Sequence, residues 1–134
     1  MSPNKPHPLL EKSDIEEYNR PITKVEIATA IKKMRNSAPG PDRVHPAMLK
    51  KLNSQHLDQL TYFLNVVWNS HKIPTEWRDC FILPIKKPKK EKFYAGNYRP
   101  ISLTNILCRL MERIIVQRLR TFLMENELLD KHQT

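Results

Sequence analysis

Apolar residues recur at helical spacing in three stretches of this chain and cluster or alternate in two short ones. Residues 1–21 show no apolar period and hold four of the eleven prolines, so they read as a loose Pro-rich leader. From Ile22 a helical pattern begins. Thr23 with Glu26 three residues later makes a capping-box signature, and Val25, Ala28, Ile31 and Met34 follow at helical spacing. This helix is expected to stop near Asn36, ahead of Pro39, Gly40 and Pro41. SAPGPD, residues 37–42, is a rigid turn in which two prolines fix φ and Gly40 permits a backbone path that other residues resist. A second helical region starts near Pro46. There Leu57, Leu60, Leu64, Val67 and Trp68 keep a 3.6-residue period, with Ser54 as cap and Pro74 as stop.

CFILPI, residues 80–85, is an apolar run flanked by proline and charge, and the stretch Tyr98 to Leu103 alternates apolar and polar residues after Arg99-Pro100. Both read as strands, joined by the basic connection 86–97. Thr104 then caps a last helix. Its apolar stripe is Ile106, Leu107, Leu110, Met111, Ile114, Ile115, Leu119, Phe122 and Leu123, with Arg109, Arg113, Arg118 and Arg120 largely outside it. The order helix, helix, strand, basic loop, strand, helix predicts an α+β fold, mainly helical, with one β-hairpin. Two strands alone are marginal in water, so helices must cover the hairpin or another subdomain must extend it.

Charge sharpens this outline. With 134 residues the chain is one domain in size, and 23 Lys and Arg against 14 Asp and Glu leave a formal charge of +9. Such an excess points to nucleic acid or another phosphate-rich partner. The charge is not evenly spread: KKPKKEK, residues 86–92, packs five lysines and one glutamate into seven positions. A run of this kind is commonly a solvated loop or a nuclear-localisation patch; its place between two strands sets it apart. Cys80 and Cys108 lie 28 positions apart, fit no ligand spacing and are expected as buried free thiols. No apolar h-region follows Met1 and no apolar run reaches ~18 residues, so neither signal peptide nor membrane span is expected. An intracellular chain, in nucleus or cytoplasm, follows.

Catalytic groups are harder to find. Two-metal phosphoryl chemistry needs converging carboxylates. Glu76, Asp79 and Glu91 are dispersed, and the adjacent pair Glu16–Glu17 reads as surface charge in the leader. The five histidines (His7, His45, His56, His71, His132) show no HExxH spacing, and neither GxSxG nor a P-loop occurs. What remains is an anion cradle. A strand, a mobile Lys-rich loop and a return strand can fold over a triphosphate, with lysine as point charge and Arg99 as planar fork. An ion pair from Arg99 to Glu76 or Asp79 is the competing role, and unspecific phosphate attraction competes for the lysines.

Taken in order, SAPGPD, PTEWRDCFILPIKKPKK and NYRPISLTNILCRLMERIIVQRL resemble the N-terminal part of the reverse transcriptase of non-LTR (LINE-type, jockey-like) retrotransposons, over about residues 22–133. The resemblance implies the helix-rich fingers subdomain of a right-hand polymerase, so that 22–134 is a partial reverse transcriptase domain without palm or thumb. It implies that Lys87, with Lys86 next, and Arg99 bind the triphosphate of an incoming nucleotide, and that SAPGPD lies near the template. Family members usually carry Gly after the Asp of that turn. This chain has Arg43, a charge that can touch nucleic acid together with Lys89, Lys90 and Lys92. The family continues past His132-Gln133-Thr134 with a Gly-Phe-Arg segment and then the palm, whose Tyr-x-Asp-Asp motif holds the metals. No Asp-Asp dipeptide occurs here. No cofactor is therefore expected in this chain, Mg²⁺ being expected only for a full-length parent, and the chain alone is expected not to polymerise DNA. Implied partners are an RNA template, an RNA–DNA duplex, a deoxynucleoside triphosphate in the parent, and a second copy through the palm-facing side of the last helix. The alternative function is a non-enzymatic nucleic-acid-binding module, or a non-functional remnant, derived from such an element.

Overall fold

A computed structural model describes residues 17–128. The leader as far as residue 16, Glu16, His7, His132 and the chain end lie outside the described residues. The elements are α1 (Lys24–Lys33), α2 (Pro46–Lys50), α3 (Ser54–Ser70), a 3-10 turn (Thr75–Arg78), β1 (Cys80–Lys86), a second 3-10 turn (Ala95–Asn97), β2 (Tyr98–Thr104) and α4 (Ile106–Glu125). The fold is α+β and mainly helical.

The capping box forms as the pattern predicts. Thr23 Oγ1 accepts from the Glu26 amide at 3.2 Å, and Glu26 Oε1 accepts from the Thr23 amide at 3.2 Å. The buried face differs from the expected stripe: Ile27, Ala30, Ile31 and Met34 point inward, while Val25 is 74% exposed and Ala28 is exposed. Both sets have helical spacing, but Ile27, Ala30, Ile31 and Met34 add an i+4 member and more bulk, so the core takes that face. The helix ends at Lys33, because Met34 is already extended.

α3 carries two further corrections at its ends. Asn53, not Ser54, is the N-cap, its side chain accepting from the His56 amide at 2.8 Å. The helix stops at His71 in the left-handed region, φ 54°, three residues before Pro74. In its middle, Asn65 clips the chain ahead of α1: its Oδ1 accepts from the Ile22 amide at 2.7 Å and its Nδ2 donates to the Ile22 carbonyl at 2.8 Å. Ile27, Leu64, Ile106 and Leu110 are fully buried where α1, α3 and α4 meet, with Leu49 and Trp77 alongside.

Arg118 is a buried member of α4, 7% exposed, contrary to its expected place outside the stripe. It uses all five guanidinium donors. Nε and Nη2 reach the two Glu26 oxygens at 2.8 and 2.7 Å, Nη1 reaches the Tyr18 and Arg20 carbonyls at 3.0 and 2.7 Å, and Nη2 reaches the Pro21 carbonyl at 3.1 Å. Its guanidinium also lies 5.5 Å from the Trp68 ring centre. Residues 18–21, read from sequence within the leader, are thus tied to α4.

β1 and β2 pair antiparallel, Ile85 opposite Arg99, Lys86 opposite Tyr98, and Pro84 opposite Pro100. Two prolines can face each other only at a non-hydrogen-bonded pair, because neither has an N–H to give. Among the described residues no helix covers this hairpin: all seven β1 residues are exposed. Cys80 is exposed with them, contrary to the expected buried thiol, because its strand has no covering layer. Cys108 is buried, and burial together with the neighbouring Glu112 pushes its thiol up to about 11.

Candidate nucleotide and nucleic-acid interface

The proline pair sets the parity of the whole hairpin. Residues 81, 83 and 85 share one face with 103, 101 and 99. The Lys87 amide donates to the Asn97 carbonyl at 2.7 Å, which extends the ladder by one pair and places Lys87 on that face too. Lys87 and Arg99 are then diagonal neighbours, about 7–8 Å apart at the backbone. Lys86, opposite Tyr98, belongs to the other face.

The connection between the strands is ordered by its own polar groups. The Lys87 ammonium donates to the Gly96 carbonyl at 3.0 Å, Asn97 Nδ2 to the Glu91 carbonyl at 3.0 Å, and the Tyr98 hydroxyl to the Lys92 carbonyl at 2.8 Å. The Asn97 amide donates to the Tyr94 carbonyl at 3.0 Å. These ties give the Lys-rich connection polar contacts of its own. At its end Lys87–Pro88–Lys89–Lys90 makes a turn closed by the Lys90 amide on the Lys87 carbonyl at 3.3 Å. Lys89 stands at φ 61°, the position of a type II turn that glycine fills most cheaply. Phe93 and Tyr94 project beside the lysines, 94% and 63% exposed. Sequence reasoning passed over both aromatics; the signal was two aromatics directly after the lysine run.

Arg99 forms no ion pair with Glu76 or Asp79; the ion pairs among the described residues are Lys24–Asp58 and Arg118–Glu26. Lys89, Lys90 and Lys92 are exposed on the tip, while Arg43 is exposed on a separate turn.

That separate turn packs against the end of β2. A Cβ on Gly40 would sit 2.4 Å from the Thr104 carbonyl oxygen and 2.8 Å from the Asn105 nitrogen. No glycine among the described residues has positive φ, so close approach, rather than an unusual backbone path, is what requires glycine at 40. Asn105, 6% exposed, joins three segments: Oδ1 accepts from the Asp42 amide at 3.0 Å and Nδ2 donates to the Glu76 carbonyl at 3.0 Å. It occupies the N-cap position of α4 in place of the expected Thr104. Arg43 adopts φ 59°, a left-handed conformation that costs a non-glycine residue about 1–2 kcal/mol.

The donors of a two-metal centre are not assembled here. Among the described residues no three His, Cys, Asp or Glu side chains gather, so this set does not fit Mg²⁺. No helix among them is long and apolar enough to cross a membrane.

No family model matches the chain. Over 115 residues it is 36% identical to the probable RNA-directed DNA polymerase from transposon BS of Drosophila melanogaster, a match covering 85% of this chain and 13% of that protein. The chain is homologous to the RNA-directed DNA polymerases of non-LTR mobile elements. The corresponding polymerase from the X-element of the same fly is 31% identical over 114 residues, 84% of this chain and 13% of the relative. The RNA-directed DNA polymerase from mobile element jockey is 33% identical over 101 residues, 75% of this chain and 11% of the relative. The chain therefore spans about an eighth of the length of these curated polymerases, and the hairpin just described is part of that span.

Proposed function

We propose that this chain is the fingers segment of an RNA-directed DNA polymerase, with Lys87 and Arg99 as a clamp for the triphosphate of an incoming nucleotide. The observation that carries this reading is the shared face of the hairpin: two cations near its tip, with no carboxylate among the described residues paired to Arg99. Guanidinium supplies a planar fork for phosphate oxygens and ammonium a point charge. Lys86 stands on the opposite face and contributes long-range attraction only. Lys89, Lys90, Lys92 and Arg43 meet the nucleic-acid backbone, and Phe93 and Tyr94 offer rings on which an unpaired base can stack. The metal-holding carboxylates of polymerisation are not assembled among the described residues. The same observation favours a second reading, a binding module that works without catalysis.

The test is titration of a fluorescent deoxynucleoside triphosphate into the purified chain, with thermal melts alongside. Arg99→Ala and Lys87→Ala are expected to weaken binding at least tenfold, Lys86→Ala less, with melting temperatures within about 2 °C of the parent. Equal affinity in all three variants would sink the clamp.

A further inference from the structure

A second basic surface lies away from the hairpin. The end of α1 and the flank of α4 border an open cleft of about 550 Å³. Arg35 and Ser37 line one side, and Arg109, Glu112, Arg113 and Arg120 line the other. On α4 the arginines recur at i, i+4 and i+11, which puts them along one helical stripe. Four arginines and one carboxylate thus line the cleft, and that carboxylate already has a partner: Glu112 accepts a hydrogen bond from the Cys108 thiol at 3.5 Å. Neither ion pair among the described residues lies in the cleft. Arg109 donates through Nη1 to Ser37 Oγ at 2.9 Å, while its Nη2 is buried without a partner.

We propose that this cleft binds successive phosphates of a single nucleic-acid strand. A merely solvated basic face would leave its cations apart and hydrated. Here they line one concavity, and one of their donors is buried without a partner among the described residues, which costs energy for as long as it goes unanswered. The α4 arginines extend about 16 Å along the helix at 1.5 Å per residue, too far for one phosphate and suited to several in a row. The cleft rests on the same reading that this chain meets nucleic acid, but adds a surface that the hairpin does not supply, with Ser37 at the start of the SAPGPD turn on its rim.

The experiment is fluorescence anisotropy with a labelled single-stranded RNA of about 20 nucleotides over a series of salt concentrations. It compares the parent chain, the cleft variant Arg113→Gln/Arg120→Gln, and the tip variant Lys89→Gln/Lys90→Gln. Arg113 and Arg120 are exposed, so the cleft variant folds as the parent does, which a thermal melt verifies. The cleft variant is expected to lose several-fold in affinity and about 1.4 from the slope of log K against log salt, near 0.7 per phosphate contact. Unchanged slope and affinity in the cleft variant, with the tip variant impaired, overturns the cleft and leaves the hairpin reading standing. No RNA binding by the parent overturns both. If the cleft variant loses tripolyphosphate binding but keeps its RNA slope, the site belongs to a free polyphosphate and the strand assignment fails.

Discussion

Arg118 shows how one side chain holds a small fold together. It closes five hydrogen bonds onto Glu26 and three carbonyls of the segment before α1, so a single guanidinium joins the chain's entry to its last helix. Removing one partner of a buried pair leaves the other charge unanswered, a loss of about 3–5 kcal/mol. Arg118→Ala is therefore expected to destabilise the chain on that scale in urea denaturation at pH 7, and Arg118→Lys to recover little, since an ammonium cannot span five acceptors. Glu26 gives the same contact a pH signature. Its carboxyl is held below the ordinary carboxylate range, first by the hydrogen bond from Arg118 and against the opposing pull of burial. A depressed folded pKa contributes stability that is complete above the unfolded value near 4.5 and is lost as pH falls through the folded one. Denaturation midpoints should therefore decline below about pH 4.5 in the parent, and much less steeply in Glu26→Gln.

At the scale of elements, the hairpin stands on its own hydrogen bonds. Its register is pinned by Pro84 opposite Pro100, since a one-residue slip would put a proline where the ladder needs a donor. Its tip carries strain: Lys89 holds a left-handed φ to complete the turn after Pro88. Lys89→Gly relieves that strain while removing a cation. The expected result is a hairpin with slower amide exchange across residues 80–104 and weaker RNA binding, measured on the same preparation. Faster exchange in Lys89→Gly would contradict the turn assignment. Arg43 repeats the pattern just after the SAPGPD turn, where φ 59° would suit a glycine. In both turns a cation occupies a position where glycine would cost less, as strained residues at functional surfaces often do.

Taken whole, the molecule is unevenly packed. A helical body with Ile27, Leu64, Ile106 and Leu110 out of contact with water carries a two-stranded sheet whose β1 is exposed along its length. Amide exchange should separate them: core amides of α3 and α4 opening only with global unfolding, and hairpin amides opening locally at far lower free energy. Equal protection in the two would mean that the sheet is covered in solution.

Much of this was legible along the chain, because local chemistry decides it. The capping box at Thr23 and Glu26, both strands, the long last helix and the ordered motifs of the polymerase family need only neighbours in sequence. The burial of Arg118 was not legible: a helical wheel shows its angle, not the three carbonyls and the carboxylate that arrive from residues about a hundred positions earlier. Nor was the true buried face of α1, where two stripes share one spacing and only packing against α3 and α4 selects between them. Gly40 was singled out for backbone freedom, yet the reason for it is a carbonyl of β2 brought close by the fold. Which lysine shares a face with Arg99 depended on strand register, and register is a relation between two segments. Sequence determined which residues were available and which local shapes they favour; only the tertiary structure decided which of them meet, because contact and burial are properties of the packed chain.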